Sequence, residues 1–314
     1  MDERSALTRI TEEVPEAGDD AAVVDGLVLT TDMLHESTDF PAGTTRYTAG
    51  WRAVAASLSD VAGMGGEAVA TVAVYGAPAF DWDELAAFVA GATDVSANVG
   101  AEYVGGDLDG HEEFTVASTA LGRAESPVQR SGATPGDAVC VTGTLGRSAA
   151  ALRLFEAGEH ERANELFRFE PRVAAGQQLA THATAMMDSS DGLARSLHQL
   201  AEASDCGFAV ESPLPVAPEL EAVVDDDERR ELSRFFGEDF ELVCTILYRR
   251  RFVSHRFQPV TFPGRRCDSE NNRNNHYDTV VRDSLPLRCH SSCARGRQTP
   301  DMTGQSRKYS RTTV

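Results

Sequence analysis
What most restricts the folds open to this chain is where it places its aspartates. They recur where apolar segments end or glycine turns begin: Gly18-Asp19-Asp20, Thr30-Thr31-Asp32, Ser57-Leu58-Ser59-Asp60, Gly105-Gly106-Asp107 and Asp188-Ser189-Ser190-Asp191-Gly192. Gly237-Glu238-Asp239 is a further acidic group. Each alone has an ordinary explanation, because aspartates cap helices and make turns. Asp191, for example, is well placed to cap a helix over 192–203. The set resists that explanation. Surface acids decorate polar faces, as in Asp225-Asp226-Asp227-Glu228, whereas Asp32, Asp60, Asp107 and Asp188 adjoin stretches such as Leu27-Val28-Leu29 and Ala185-Met186-Met187. A carboxylate beside a core is costly unless it is paired or holds a metal. Oxygen donors in number select magnesium or calcium over zinc or copper. Thr30, Thr31 and Ser190 add neutral oxygens.

The apolar pattern around these residues predicts an α+β chain with mixed sheets covered by helices. Short apolar runs at 21–24 and 27–31 flank Asp25-Gly26, a hairpin signal. Residues 48–63 put Trp51, Val54, Ala55, Leu58 and Val61 on one helical face, stopped by Gly63-Met64-Gly65-Gly66. Strands are expected at 68–75, at Tyr103-Val104 and at 114–121, with a helix over 81–98. The turn-rich Gly132-Ala133-Thr134-Pro135-Gly136-Asp137 opens a second unit. Strands there are expected at 138–142, 207–211 and 242–246, and helices at 148–155, 172–182 and 192–203. The expected domains are 1–133, carrying metal and nucleotide, and 134–246.

Charge decides which ligands fit. Up to residue 246 the chain holds 44 Asp+Glu against 15 Lys+Arg, and beyond it 5 against 14. The acidic part argues against nucleic acid, which wants a basic footprint. No apolar stretch approaches the ~20 residues of a membrane span, and the first residues lack an apolar signal region, so a cytoplasmic protein is expected. Several hard cations suit a substrate carrying several phosphates. A Walker-type loop requires a lysine, and the one lysine is Lys308. Phosphate charge must then be met by metal, by backbone N–H groups and by arginines such as Arg130 and Arg147. Thr142-Gly143-Thr144-Leu145-Gly146, between a strand and a helix, is a candidate backbone cradle. No Gly-x-Ser-x-Gly, His-Glu-x-x-His or Gly-x-Gly-x-x-Gly pattern is present.

The ordered blocks resemble the thiamine-monophosphate kinase family of the aminoimidazole-ribonucleotide-synthetase-like superfamily. Those that carry the resemblance, over about residues 5–246, are Gly18-Asp19-Asp20-Ala21, Thr30-Thr31-Asp32, 57–65, Gly105-Gly106-Asp107, 130–137, 141–146, Asp188-Ser189-Ser190-Asp191-Gly192-Leu193 and Gly237-Glu238-Asp239-Phe240-Glu241-Leu242. The resemblance implies that superfamily's two-domain fold. It implies transfer of the γ-phosphoryl of ATP to thiamine monophosphate, giving thiamine diphosphate and ADP, by a homodimer using several Mg2+ ions. Position by position it implies metal ligation by Asp20, Thr30, Thr31, Asp32, Asp60, Asp107, Asp188 and Asp191. It implies ATP contacts at Gly106, Asp107, Arg130 and Ser190, and substrate contacts at Asp39 and Glu238. No side chain is implied as a general base, since the acceptor phosphate is already ionised. Asp39 stands where many members carry histidine, and Phe236 where a second glycine is usual. Other ATP-dependent enzymes of the superfamily, or a non-catalytic nucleotide and magnesium binder disabled by its tail, are the alternatives.

From about residue 247 the texture changes. Arg249-Arg250-Arg251 and Glu270-Asn271-Asn272-Arg273-Asn274-Asn275 are polar and without period, the composition of disorder. A basic binding tail is one reading, and a chain that left its coding frame is the other. The abrupt flip of charge favours the second. On it the second domain is incomplete and 242–246 is left as an open sheet edge. The lysine-free acidic part also resembles proteins of salt-loaded cytoplasm, with an arginine-rich codon bias as the plainer explanation. Self-repulsion in so acidic a chain is screened only at high ionic strength. Its melting temperature is therefore expected to rise from low to molar potassium chloride, and a flat profile would remove the salt-adaptation reading.

Overall fold
The computed structural model describes residues 1, 3–210, 214–247 and 287–291. Helix α1 (Glu3–Glu13) and a short 3-10 turn (Pro15–Gly18) lead into a hairpin of β1 (Ala22–Val24) and β2 (Leu27–His35). The turn is the expected Asp25-Gly26, both residues in the left-handed region (φ 53° and 77°). There follow α2 (Glu36–Asp39), α3 (Arg46–Gly63), β3 (Glu67–Ala77), α4 (Trp82–Asn98), β4 (Glu102–Gly110) and β5 (Thr115–Arg123). The five strands form one sheet in the order β1-β2-β5-β3-β4, antiparallel except for the β3–β4 pair.

The second unit runs β6 (Ala138–Val141), α5 (Arg147–Glu156), α6 (His160–Phe167), α7 (Val173–Ala180), β7 (Ala183–Asp188), α8 (Leu193–Ser204), β8 (Cys206–Val210), α9 (Pro218–Glu221), α10 (Asp226–Phe235) and β9 (Leu242–Ile246). β6, β9 and β7 form an antiparallel sheet with β9 in the middle. This corrects the expectation of an open edge at 242–246, because both sides of that strand are paired. Within the segment read as an aperiodic tail, β10 (Leu287–Ser291) lies antiparallel to β8. The rest of that segment lies outside the described residues.

Helix α3 holds the two sheets together. Its apolar face packs against β2, β3 and β5 on one side and β7 on the other. Val54, Leu58 and Val61 share one core with Met186, Leu242 and Cys244 of the second sheet. Where α3 crosses α4, a Cβ on Gly50 or Gly91 would stand 2.1 or 2.0 Å from a facing carbonyl oxygen. Only glycine permits that approach, and through it the first sheet stays tightly covered. The outer face of the first sheet is uncovered, with Leu29, Met33, Val72 and Val74 exposed. No helix of the described residues is long and apolar enough to cross a membrane.

Candidate functional site
Three elements deliver carboxylates to one place between the sheets. Asp20 precedes β1, Asp60 lies in the last turn of α3, and Asp188 ends β7. Asp20 rests on Gly63 of α3, where a Cβ would fall 2.0 Å from its Oδ2. That same oxygen accepts from the Asp188 N–H at 3.0 Å. Asp60 Oδ2 accepts from the Thr30 hydroxyl at 2.5 Å. Asp188 is 1% exposed, and its Oδ2 is buried without a hydrogen-bond partner.

Burial sets the electrostatics. It pushes Asp20 up to about 7, with Arg130 pulling it down and Asp188 adding to the rise. It also pushes Asp60 well up, helped by the like charges of Asp188, Asp32 and Asp20. Asp188 is likewise raised by burial. Three carboxyls that cannot all ionise comfortably, one with an unsatisfied buried oxygen, form the donor set a hard cation satisfies. Among the described residues no three acidic, histidine or cysteine side chains converge closely enough to hold an ion by themselves. An ion here would complete its shell with other oxygens.

Arg130 is tied to this cluster. Its Nε and Nη2 fork onto Asp20 Oδ1 at 2.8 and 2.5 Å, and its N–H donates to Asp19 Oδ1 at 2.6 Å. The Ser190 N–H faces Asp188 Oδ1 at 3.3 Å. Asp32 acts on Asp60 through its charge. Other expected members lie elsewhere. Thr31 faces the opposite side of β2 from Thr30, and its hydroxyl donates to the Ser118 carbonyl at 2.9 Å. Gly106 and Asp107 lie inside β4 rather than in a turn, three strands from β2, and Asp107 is exposed beside outward-facing Val74. Three strand spacings are roughly 14 Å. Asp191 is exposed, and the residue capping α8 is Gly192 rather than Asp191. Asp39 accepts from the His35 N–H and the Thr38 hydroxyl of its own turn.

The proposed phosphate cradle is a correction. Its N–H groups at Gly146 and Ser148 donate to the two oxygens of Asp239. Thr142 donates to Glu241 at 2.6 Å, and a Cβ on Gly143 would strike the Glu241 carboxylate. The helix α5 N-terminus is already filled by the chain's own acids. The Arg147 guanidinium is likewise spent on the Leu166 and Arg168 carbonyls. Burial raises Asp239 to about 7.

Sequence reasoning missed Arg52, which is 1% exposed on α3. It donates to Glu238 Oε2 at 2.6 Å and to the Phe167 carbonyl at 2.7 Å, with its guanidinium 3.6 Å from the Phe167 ring centre. The available signal was a single cation inside the apolar run 51–58. Arg172, forked onto Glu241 at 2.8 and 2.6 Å, was missed in the same way.

Comparison with known proteins shows the family. Residues 18–124 match the AIR synthase related protein N-terminal domain, and 134–245 match its C-terminal domain. A thiamine-monophosphate kinase from Halobacterium salinarum is 67% identical over 78% of this chain and 85% of its own. One from Methanospirillum hungatei is 42% identical over 79% and 85%. The solved thiamine monophosphate kinase of Aquifex aeolicus superposes with a TM-score of 0.74 at 27% identity, covering 84% of this chain and 92% of its own. A structure described as AaThiL complexed with AMPPCP and TMP gives 0.72 at 28% identity, over 78% and 84%.

The raised carboxyls fix how stability varies with pH. Between about 4 and 7 the folded protein keeps protons on Asp20 and Asp239 that an unfolded chain has released. Without divalent ions, stability is therefore expected to fall as pH rises through that window and to level off above it. A magnesium ion held by this cluster would bind the ionised carboxylates, so its stabilising effect is expected to grow as pH rises. Calorimetric melting at several pH values, with and without magnesium chloride, checks both signs. A magnesium effect that shrinks from pH 5.5 to 8 contradicts the assignment.

Proposed function
The chain belongs to the thiamine-monophosphate kinase family of AIR synthase related proteins, and from that premise we propose that it transfers the γ-phosphoryl of ATP to thiamine monophosphate. The products are thiamine diphosphate and ADP. The observation that carries the reading is the meeting of Asp20, Asp60 and Asp188 from separate elements, all raised by burial, with Asp188 raising Asp20, and Asp188 and Asp20 raising Asp60. Such a cluster suits a reaction in which two anions must be brought together and neutralised.

Asp20, Asp60 and Asp188 would hold magnesium, with Asp32 and Thr30 beside them. The ions, when bound, supply neutralisation of phosphate charge. Arg130 and Ser190, beside the cluster, are assigned to the nucleotide; of the two β4 residues also expected there, Asp107 lies on the outer face and Gly106 pairs with Ala73, both away from the cluster. The Thr31 hydroxyl, on the opposite face of β2, is not among the groups that would hold the ions, and Asp191 is exposed outside the cluster. Glu238 and Asp39 are assigned to thiamine phosphate. The chain's task is alignment: with an acceptor oxygen already ionised, no side chain has to remove a proton. The uncovered apolar face of the first sheet (Leu29, Met33, Val72, Val74) supports a homodimer formed through it, since patches of that kind mark protein contacts.

Purified enzyme incubated with ATP, magnesium and thiamine monophosphate should release ADP and thiamine diphosphate in equal amounts. Asp60→Asn, which keeps the shape but removes a charge, should lower turnover on the order of a hundredfold or more while the fold persists. Near-normal turnover in a folded variant contradicts the metal role. In sedimentation, the native chain should run as a dimer and Val74→Asp as a monomer. A native monomer at micromolar concentration would overturn the dimer.

A further inference from the structure
Arg52 is 1% exposed on α3, and its charge acts on the buried Asp239. Its Nη1 donates to the Phe167 carbonyl at 2.7 Å and lies 3.5 Å from the Ser148 hydroxyl. Its Nη2 donates to the Glu238 carbonyl at 3.2 Å and to Glu238 Oε2 at 2.6 Å. The guanidinium plane lies over the Phe167 ring. Four directions are thereby fixed, and two of them end on Glu238.

Glu238 needs such fixing. Its φ of +71° is in the left-handed region, as is the 52° of Phe240 two residues on. A non-glycine residue persists there only where its neighbours over-determine it. Here the Glu238 N–H donates to Ser190 at 2.7 Å, its carbonyl accepts from Ser148 at 2.6 Å, and its carboxylate meets Arg52. The Glu238 side chain is 24% exposed, while that of Arg52 is 2% exposed. The carboxylate is therefore the open end of a buried connection that starts in α3. A buried ion pair of this kind is poor value as a stabiliser compared with apolar packing.

We propose that Arg52 is a positioning residue for Glu238, through which helix α3 sets the spacing between the metal-facing carboxylates and the substrate-facing one. Asp60 is eight residues along the same helix, about 12 Å of axial rise. The proposal rests on the reading of Glu238 as a contact to thiamine monophosphate. Lysine cannot take over this role, because a point charge has neither the planar fork nor the ring stacking.

Steady-state kinetics of the full chain in molar potassium chloride tests this. Glu238→Gln first examines the underlying reading and should raise the KM for thiamine monophosphate. Arg52→Lys should raise the same KM roughly tenfold and leave the KM for ATP within about twofold. The double variant should be no worse than Glu238→Gln alone, since the arginine acts through that carboxylate. Phe167→Leu, which removes the ring under the guanidinium plane, is a gentler second variant and should shift the same KM in the same direction. If Glu238→Gln raises the KM but Arg52→Lys and Phe167→Leu change only the melting temperature, or raise both KM values equally, the positioning role is overturned and the substrate reading stands. If Glu238→Gln leaves the KM for thiamine monophosphate unchanged, the substrate reading falls and the proposal with it.

Discussion
The structure turns on the repulsion among carboxylates withdrawn from water. Two unit charges about 4 Å apart repel by roughly 4 kcal/mol at an effective dielectric constant of 20. Desolvation adds to that for each buried group. Asp20, Asp60 and Asp188 carry this burden together, and each is raised above its ordinary range. A fold keeps such a cluster only if the surrounding contacts outweigh it. Here α3 does so by burying most of its surface between two sheets, while Arg130 and Thr30 offset part of the charge from the side.

The segment Gly237-Glu238-Asp239-Phe240-Glu241-Leu242 distributes the remaining load. Glu238 meets Arg52 from the first unit, and Asp239 closes the N-terminus of α5. Glu241 takes the Arg172 fork and the Thr142 hydroxyl, while Phe240 stacks on Phe169 with ring centres 4.1 Å apart. Its main chain also binds Ser189 and Ser190, next to Asp188. A shift in this segment would therefore be felt at the carboxylate cluster, at α5 and at α3. That breadth of attachment explains why two of its residues tolerate left-handed backbone angles.

Much of this was legible where chemistry is local. The Asp25-Gly26 hairpin follows from turn preference, and α3 follows from five apolar residues at helical spacing. That Asp20, Asp60 and Asp188 belong together was legible from their placement beside apolar segments and glycine turns and from the resemblance, although 168 residues separate Asp20 from Asp188. Two errors were avoidable. The period-2 alternation of β2 already sets Thr31 on the face away from Thr30 and Asp32. Arg52, a cation within an apolar helical face, should have raised the question of its partner. Other differences were not avoidable. Nothing near Gly146 in sequence reveals that Asp239 fills the α5 N-terminus. Gly105 and Gly106 read as a turn, yet they form a strand because Gly106 can press against the Ala73 carbonyl where no side chain fits.

Arginine use closes the argument about how phosphate charge is met. With no lysine before Lys308, the positive charge near the cluster must come from arginine or from bound cations. The arginines within reach are engaged: Arg130 with Asp20, Arg172 with Glu241, Arg52 with Glu238, and Arg147 with main-chain carbonyls. Each guanidinium satisfies a carboxylate or carbonyl that would otherwise be costly to bury. Moving Arg130 onto a phosphate would expose that cost unless a bound cation met Asp20 in its place. On the proposed function, a polyphosphate ligand would be neutralised by divalent cations arriving from solution, which would also relieve the repulsion among Asp20, Asp60 and Asp188. Metal binding and phosphate binding would then be coupled through one set of oxygens, with the arginines keeping the acids in place.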